Sequence, residues 1–393
     1  MTKSATLAPN SGAGTAPLEN YANNLSASER EQASDLRVSN RETRYLRRSE
    51  LWHLSGMARV RKCGRVMTAS HVTVRRSGKV TGLAGLATCG SVWACPVCNA
   101  KVMSRRALEI GAAVALWQAH KGRVAFVTLT MRHNRGHSLQ ALWDALAAAW
   151  QAVIGSRKWG RDVDRYGVEG WLRVVEVTQG RNGWHVHVHA LVFMREGASS
   201  FELAALHRSM FDRWRGQLVR KGFDAPTMAG QDARLISGPG DVALAGYFTK
   251  ATDNAVRVGL EFTQTQTKTT RTAFSTAPVW SLLDGLLNTG EVEYLNDWRE
   301  WERGSKGRRQ LTWSQGLRCR LGLLEEVTDE EIAAEVLGDD RDNLVAITAE
   351  GWATLVRSPV LIPRMLSVTD VGGFAALQGF LITHDIDHEV LSA

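Results

Sequence analysis

Apolar positions recurring at period two mark strands between residues 120 and 240, and apolar positions recurring at helical spacing mark the elements between them. GRVAFVTLTM (122–131) is a near-continuous apolar run of strand length. In LQALWDALAAAWQAVI (139–154), Leu139, Leu142, Leu146, Trp150 and Val153 fall on one helical face. WLRVVEVT (171–178) and WHVHVHALVF (184–193) read as strands joined through QGRNG, whose Asn182-Gly183 pair signals a tight hairpin. FELAALHRSMFDRWRGQLV (201–219) reads as a helix and DARLIS (232–237) as a short strand. DVALAGYFTKA (241–251) reads as a helix with Asp241 as its N-cap.

The order β-α-β-β-α-β-α predicts an α+β class and resembles a ferredoxin-like split βαβ unit with one appended helix. Around this unit, composition divides the chain. Residues 1–40, rich in Ser, Ala, Asn and Gly, are expected to be disordered, because they bury too little apolar surface to offset ordering entropy. Residues 41–118 form a basic, cysteine-rich module, 119–262 the α+β domain, 263–324 a basic extension and 325–393 an acidic C-terminal region. No internal repeat is present.

Charge sharpens the division. Residues 325–393 carry 14 Asp and Glu against 3 Lys and Arg, a net of −11, whereas the first 324 residues carry a net of +19. Such a basic body predicts a polyanionic partner, since Lys and Arg gain affinity by displacing phosphate counter-ions. No apolar run approaches the roughly 20 residues that span a bilayer, and the N-terminus has no signal-peptide core. A cytoplasmic location without a membrane partner is therefore expected, and there five cysteines favour metal binding over disulfides.

His185, His187 and His189 occupy alternate positions of one strand. They share a face at about 6.6 Å intervals, so two neighbouring imidazoles can meet at one ion but three hardly can. A third ligand would come from the paired strand. Glu176 faces His189 or His187 in either of two hairpin registers, and both select the 187/189 pair; a three-residue loop would turn Glu176 away. Two imidazoles and a carboxylate suit a catalytic Mn²⁺ or Mg²⁺. The alternative is a buried strand whose histidines are satisfied within the core.

Cys95-Pro-Val-Cys98 has the knuckle spacing of structural zinc sites, and Cys63 and Cys89 complete a closed tetrahedral set for Zn²⁺. Cys319 stands apart and is expected to be apolar packing. Tyr247 and Lys250 share a face of the helix at 241–251, where a cation beside a phenol favours its ionised, nucleophilic form.

FVTLTM, the HVHVHALVF strand and GYFTK, in that order, resemble the three motifs of HUH endonucleases. The upstream CGSVWACPVCNAKV is similar to the single-tyrosine rolling-circle plasmid replication initiators (Rep proteins) of Gram-positive and actinobacterial plasmids. The resemblance covers residues 60 to 255 and implies an HUH-type domain at 119–262 that nicks a plasmid origin, supercoiled or as a single-stranded hairpin. It implies His187 and His189 as ligands of a catalytic Mn²⁺ or Mg²⁺, and Tyr247 as the nucleophile that forms a 5′-phosphotyrosine, with Lys250 neutralising the phosphate. The free 3′-OH would prime the host polymerase, a helicase acting indirectly.

Related initiators place a terminating Glu one turn before the tyrosine, but Ala243 stands here, which leaves the termination residue open between Asp241 and others. His185, outside the ligand pair, is expected to act through its neighbours or on DNA. The segment 37–65, with Arg44, Arg47, Arg48, Arg59, Arg61, Lys62 and Arg65, would contact origin phosphates. Trp159, Trp184 and Trp214 are candidates for stacking on unpaired bases. The competing readings are another HUH enzyme, a relaxase or transposase, and a non-enzymatic zinc nucleic-acid-binding protein.

Overall fold

The computed structural model describes residues 27–236, 277–335 and 342–391. Asp241, Ala243, Tyr247 and Lys250 lie outside the described residues. In chain order the elements are α1 (Ala27–Leu54), α2 (Ala58–Lys62), β1 (Val72–Ser77), β2 (Val80–Ala84), α3 (Pro96–Ala119), β3 (Arg123–Thr130), α4 (Leu139–Ile154), α5 (Arg157–Tyr166), β4 (Val168–Gly180) and β5 (Gly183–Met194). There follow α6 (Ser200–Arg220), β6 (Asp232–Leu235), β7 (Ala277–Pro278), α7 (Ser281–Thr289), α8 (Val292–Ser305), β8 (Leu311–Trp313), α9 (Leu317–Arg320), α10 (Asp329–Ala334), β9 (Asp342–Ile347), α11 (Ala349–Arg357), α12 (Leu361–Thr383) and β10 (His388–Val390). The chain is thus mixed α and β with antiparallel sheets. Helix α1 begins inside the stretch that composition marks as disordered.

The chain divides into two units. One contains residues 106–236 and 277–326. Its sheet runs β6-β3-β5-β4-β7, with β8 also on β4. Taken in chain order, β3, β4, β5 and β6 lie across the sheet as fourth, first, third, second. Helix α4 forms where the sequence predicts it: Ser138 accepts a hydrogen bond from the Ala141 N–H, and Leu139, Leu142, Leu146, Trp150 and Val153 are all buried. Helix α6 opens with a capping box between Ser199 and Glu202. Helix α4 packs on β5, and α6 on β3 and β6.

One sheet face changes character along its length. Val124, Phe126, Leu172, Val174, Leu191 and Phe193 form an apolar layer with Ile110 and Val114 of α3 and with Leu311, Leu317 and Leu321. Two positions further along the same strands the face turns polar, with Thr128, Glu176, His187 and His189 side by side. The site therefore begins where the apolar layer ends.

The second unit joins residues 27–105 to 327–335 and 342–391. Its sheet runs β10-β9-β1-β2, so a strand of the acidic C-terminal region pairs with one of the cysteine-rich segment. Trp52, Val72, Val74, Val345, Ile347, Trp352 and Leu355 form its core, with residues of α12. Among the described residues α12 alone is long and apolar enough to cross a bilayer by length and composition, and Arg364 and Asp370 interrupt its apolar positions. Its Ile362, Met365, Leu366, Leu377 and Leu381 belong to that core, and Gly373 interrupts it at φ 61.

Candidate metal centres

The β4–β5 turn consists of Arg181 and Asn182, with Gly180 paired opposite Gly183. It sits one residue earlier than the Asn182-Gly183 signal, and Gly183 takes the left-handed conformation at φ 82. The resulting register puts Glu176 opposite His187 and Val174 opposite His189. Glu176 Oε2 lies 3.2 Å from His187 Nε2 and 3.0 Å from His189 Nε2. Their three donor atoms lie within 4.8 Å of one another. His187 is 8% exposed and His189 3%.

The donor set fits a divalent ion. Two donors each about 2.1 Å from one ion, at right angles, stand about 3.0 Å apart, close to the separations seen here. Thr128 on β3 contacts His189 Nδ1 through its hydroxyl at 3.0 Å, and Phe126 stacks on the same ring at 5.2 Å. When Nε2 of His189 binds a metal, Nδ1 keeps its proton and donates to Thr128 Oγ1, which fixes the ring. Nδ1 of His187 is buried and has no hydrogen-bond partner among the described residues.

His185 stands outside this group but is held by a residue not singled out from the sequence. Its Nδ1 lies 2.9 Å from Nε2 of His133, whose Nδ1 lies 3.1 Å from the carbonyl oxygen of Asn182. A carbonyl only accepts, so the His133 proton sits on Nδ1; its Nε2 then accepts the Nδ1 proton of His185. Burial first, then the neighbouring His187 and His133, push His185 down to about 4, against the pull of Glu176. The only sequence signal for His133 is its place in the polar segment RHNRGH directly after a strand.

All four predicted cysteines meet. Cys63 follows α2, Cys89 follows β2, Cys95 precedes α3 and Cys98 lies in its first turn. Cys63 Sγ is 3.8 Å from that of Cys95 and 3.5 Å from that of Cys98, and Cys89 is 3.6 Å from Cys98. A tetrahedral ion with bonds of about 2.3 Å separates its sulfurs by roughly 3.8 Å, so this buried group fits zinc. Contact with the Cys89, Cys95 and Cys98 thiols, and the nearby Arg48 charge, hold Cys63 low; the contact with Cys63 raises Cys89 and Cys95. Cys319 is exposed rather than packed.

Among the expected DNA contacts, Arg59, Arg61 and Lys62 are exposed and Arg65 half-buried. Arg59 pairs with Glu330 at 3.3 Å, and Arg61 donates to the Ser55 carbonyl at 2.9 Å. Arg48 is buried and cannot reach a phosphate. Nor can Trp159, Trp184 and Trp214 stack on bases, since all are buried: Trp184 against Trp301, and Trp214 with its indole N–H donating to the Thr130 carbonyl. Their apolar area was needed by the core, which sequence alone does not reveal.

Comparison with known proteins decides the family. The family model described as "Replication protein" matches residues 82–205, a span that holds three of the four clustered cysteines and the whole Glu176–His187–His189 group. The "Protein rep" of Streptomyces lividans is 31% identical over an alignment of 352 residues, covering 74% of this chain and 77% of that protein. The chain belongs to the replication-protein (Rep) family. A "Neomycin resistance protein" of Streptomyces cyanogenus is 34% identical over 135 residues, 28% of this chain and 31% of that one. No solved structure matches. Both donor groups of this Rep-family chain therefore lie wholly or largely inside the matched region.

Proposed function

We propose that this Rep-family chain initiates rolling-circle replication of a plasmid by nicking one strand at its origin. The observation that carries the reading is the convergence of His187, His189 and Glu176 on one point of the sheet, in a chain of this family. The order of β3, β4, β5 and β6 across that sheet supports an HUH-type ferredoxin-like domain at residues 119–262, to whose sheet β7 and β8 of the basic extension at 263–324 add, while the zinc module at 41–118 and the acidic region at 325–393 share the second sheet.

In this reading His187, His189 and Glu176 hold Mn²⁺ or Mg²⁺, which when bound would polarise the scissile phosphate. Thr128 and Phe126 keep the His189 ring in place, and the His133–His185 pair borders it. The Tyr247 oxygen gives up its proton and forms a bond to phosphorus as the bond to the 3′-oxygen breaks, leaving a 5′-phosphotyrosine, and the departing 3′-oxygen takes up a proton to become the 3′-hydroxyl. Lys250 neutralises charge on the phosphate. Cys63, Cys89, Cys95 and Cys98 hold a structural zinc, and Arg59, Arg61, Lys62 and Arg65 contact origin phosphates. The test is incubation of the full chain with supercoiled plasmid carrying the cognate origin. Nicked circles with Mn²⁺ and none without it are expected; intact supercoiled DNA in both would leave a zinc nucleic-acid-binding protein as the better reading.

A further inference from the structure

The second unit buries a cation beside the cysteine group that no carboxylate among the described residues pairs with. Arg48 of α1 is 5% exposed, its guanidinium 4.3 Å from the ring centre of Tyr45 and 5.9 Å from that of Trp52. Trp52 donates its indole N–H to the carbonyl of Cys63 at 2.9 Å. The guanidinium also lies against Gly64, the residue after Cys63, where any Cβ would overlap it and where φ is 60. Among the described residues no carboxylate pairs with Arg48, and its buried Nε has no hydrogen-bond partner. An arginine cannot shed its proton, so a buried one without a counter-ion is strongly unfavourable.

Four thiolates around a divalent zinc carry a net charge of about −2, and enclosing that charge is equally unfavourable unless cations stand nearby. A second cation does. Lys101, three residues past Cys98 in α3, donates from its ammonium to the carbonyls of Ala333 and Glu335 at 2.6 and 2.7 Å. The Lys101 side chain is exposed overall, but lost hydration pushes its ammonium down, as does Arg48 more weakly, while Cys98, Glu335 and Cys63 pull it back up.

We propose that Arg48 and Lys101 are the counter-cations of a dianionic four-thiolate zinc centre, a role that the basic composition of the segment 37–65 disguises, for Arg48, as DNA contact. The inference rests on the zinc reading of the cysteines. It explains why a guanidinium is enclosed between two aromatic rings next to Gly64: its partner is the metal–thiolate group as a whole and not a carboxylate. The metal and the packing of α1 are then coupled, because loss of the ion leaves both the thiols and the guanidinium without compensation.

The test measures zinc affinity of the full chain by competition with a chromogenic chelator. Cobalt substitution, read through its thiolate charge-transfer bands, reports whether all four sulfurs still bind. Arg48→Met should weaken zinc ten- to a hundredfold, the usual range for residues behind metal ligands, with the cobalt spectrum unchanged. Lys101→Met should weaken it several-fold, and Arg48→Lys should stay near wild type because the charge remains. Wild-type affinity in Arg48→Met would overturn the proposal, as would Arg48→Lys losing as much as Arg48→Met, since packing alone would then explain the residue. If Arg48→Met fails to fold, Lys101→Met decides: unchanged affinity overturns the proposal. Wild-type protein free of zinc would instead remove the zinc reading itself.

Discussion

Glu176 Oε2 stands 3.2 Å from Nε2 of His187, the residue directly across the β4–β5 ladder, and 3.0 Å from Nε2 of His189 two positions on. One carboxylate oxygen thereby faces two imidazoles that leave the sheet on the same side. Glu176→Gln, His187→Ala and His189→Ala should each abolish Mn²⁺ binding by isothermal titration and Mn²⁺-dependent nicking. Origin binding should survive, since the proposed phosphate contacts at Arg59, Arg61, Lys62 and Arg65 lie elsewhere in the chain. His185→Ala should cost less, and equal losses at 185, 187 and 189 would contradict the choice of ligands.

Thr128 tests whether the ring of His189 must be held. Thr128→Val keeps the shape but removes the hydroxyl 3.0 Å from Nδ1. Metal affinity should fall roughly tenfold, the low end for a residue behind a ligand. Unchanged affinity would show that Phe126 stacking suffices.

The cysteine group predicts about one zinc per chain by elemental analysis. Cys95→Ser or Cys98→Ser should lose it and lower folded yield, because a structural metal contributes folding free energy directly. Cys319→Ser should change neither, since Cys319 is exposed.

His207 gives a pH prediction away from both donor groups. Burial pushes its imidazole below the ordinary value of 6.5, with Asp232 pulling the other way. The unfolded chain therefore takes up this proton at higher pH than the folded one. The contribution is intact above about pH 6.5 and is lost progressively as pH falls toward the lower folded value. The urea midpoint should drop between pH 7.5 and 5.5, and His207→Leu should show a smaller drop. Parallel pH curves for the two proteins would rule the effect out.

Local pattern made much of the first unit legible. The boundaries of α4 match its apolar stripe, and period two within residues 184–193 already placed the histidines on one face. What escaped the sequence depends on contacts between distant residues. His133 meets His185 across 52 positions, and β9 pairs with β1 across more of the chain still, which no local periodicity encodes. Arg48 and Trp214 look like surface groups by type, yet the cysteine group and the helical layer enclose them. The hairpin turn falls one residue before the Asn182-Gly183 signal, yet its register, with Glu176 facing His187, is one of the two that select the 187/189 pair.

In the proposed reaction Tyr247 attacks the origin phosphodiester with the aid of the metal held by Glu176, His187 and His189. Peptide mapping of the protein–DNA adduct after nicking tests it most directly, because attack on phosphorus requires the phenol oxygen while the ring alone can still pack. A single modified peptide is expected, carrying Tyr247 joined to the 5′ side of the nick. No adduct is expected from Tyr247→Phe, with origin binding and metal content unchanged. An adduct on Tyr166, Tyr294 or a serine, or an undiminished adduct from Tyr247→Phe, would contradict attack by Tyr247.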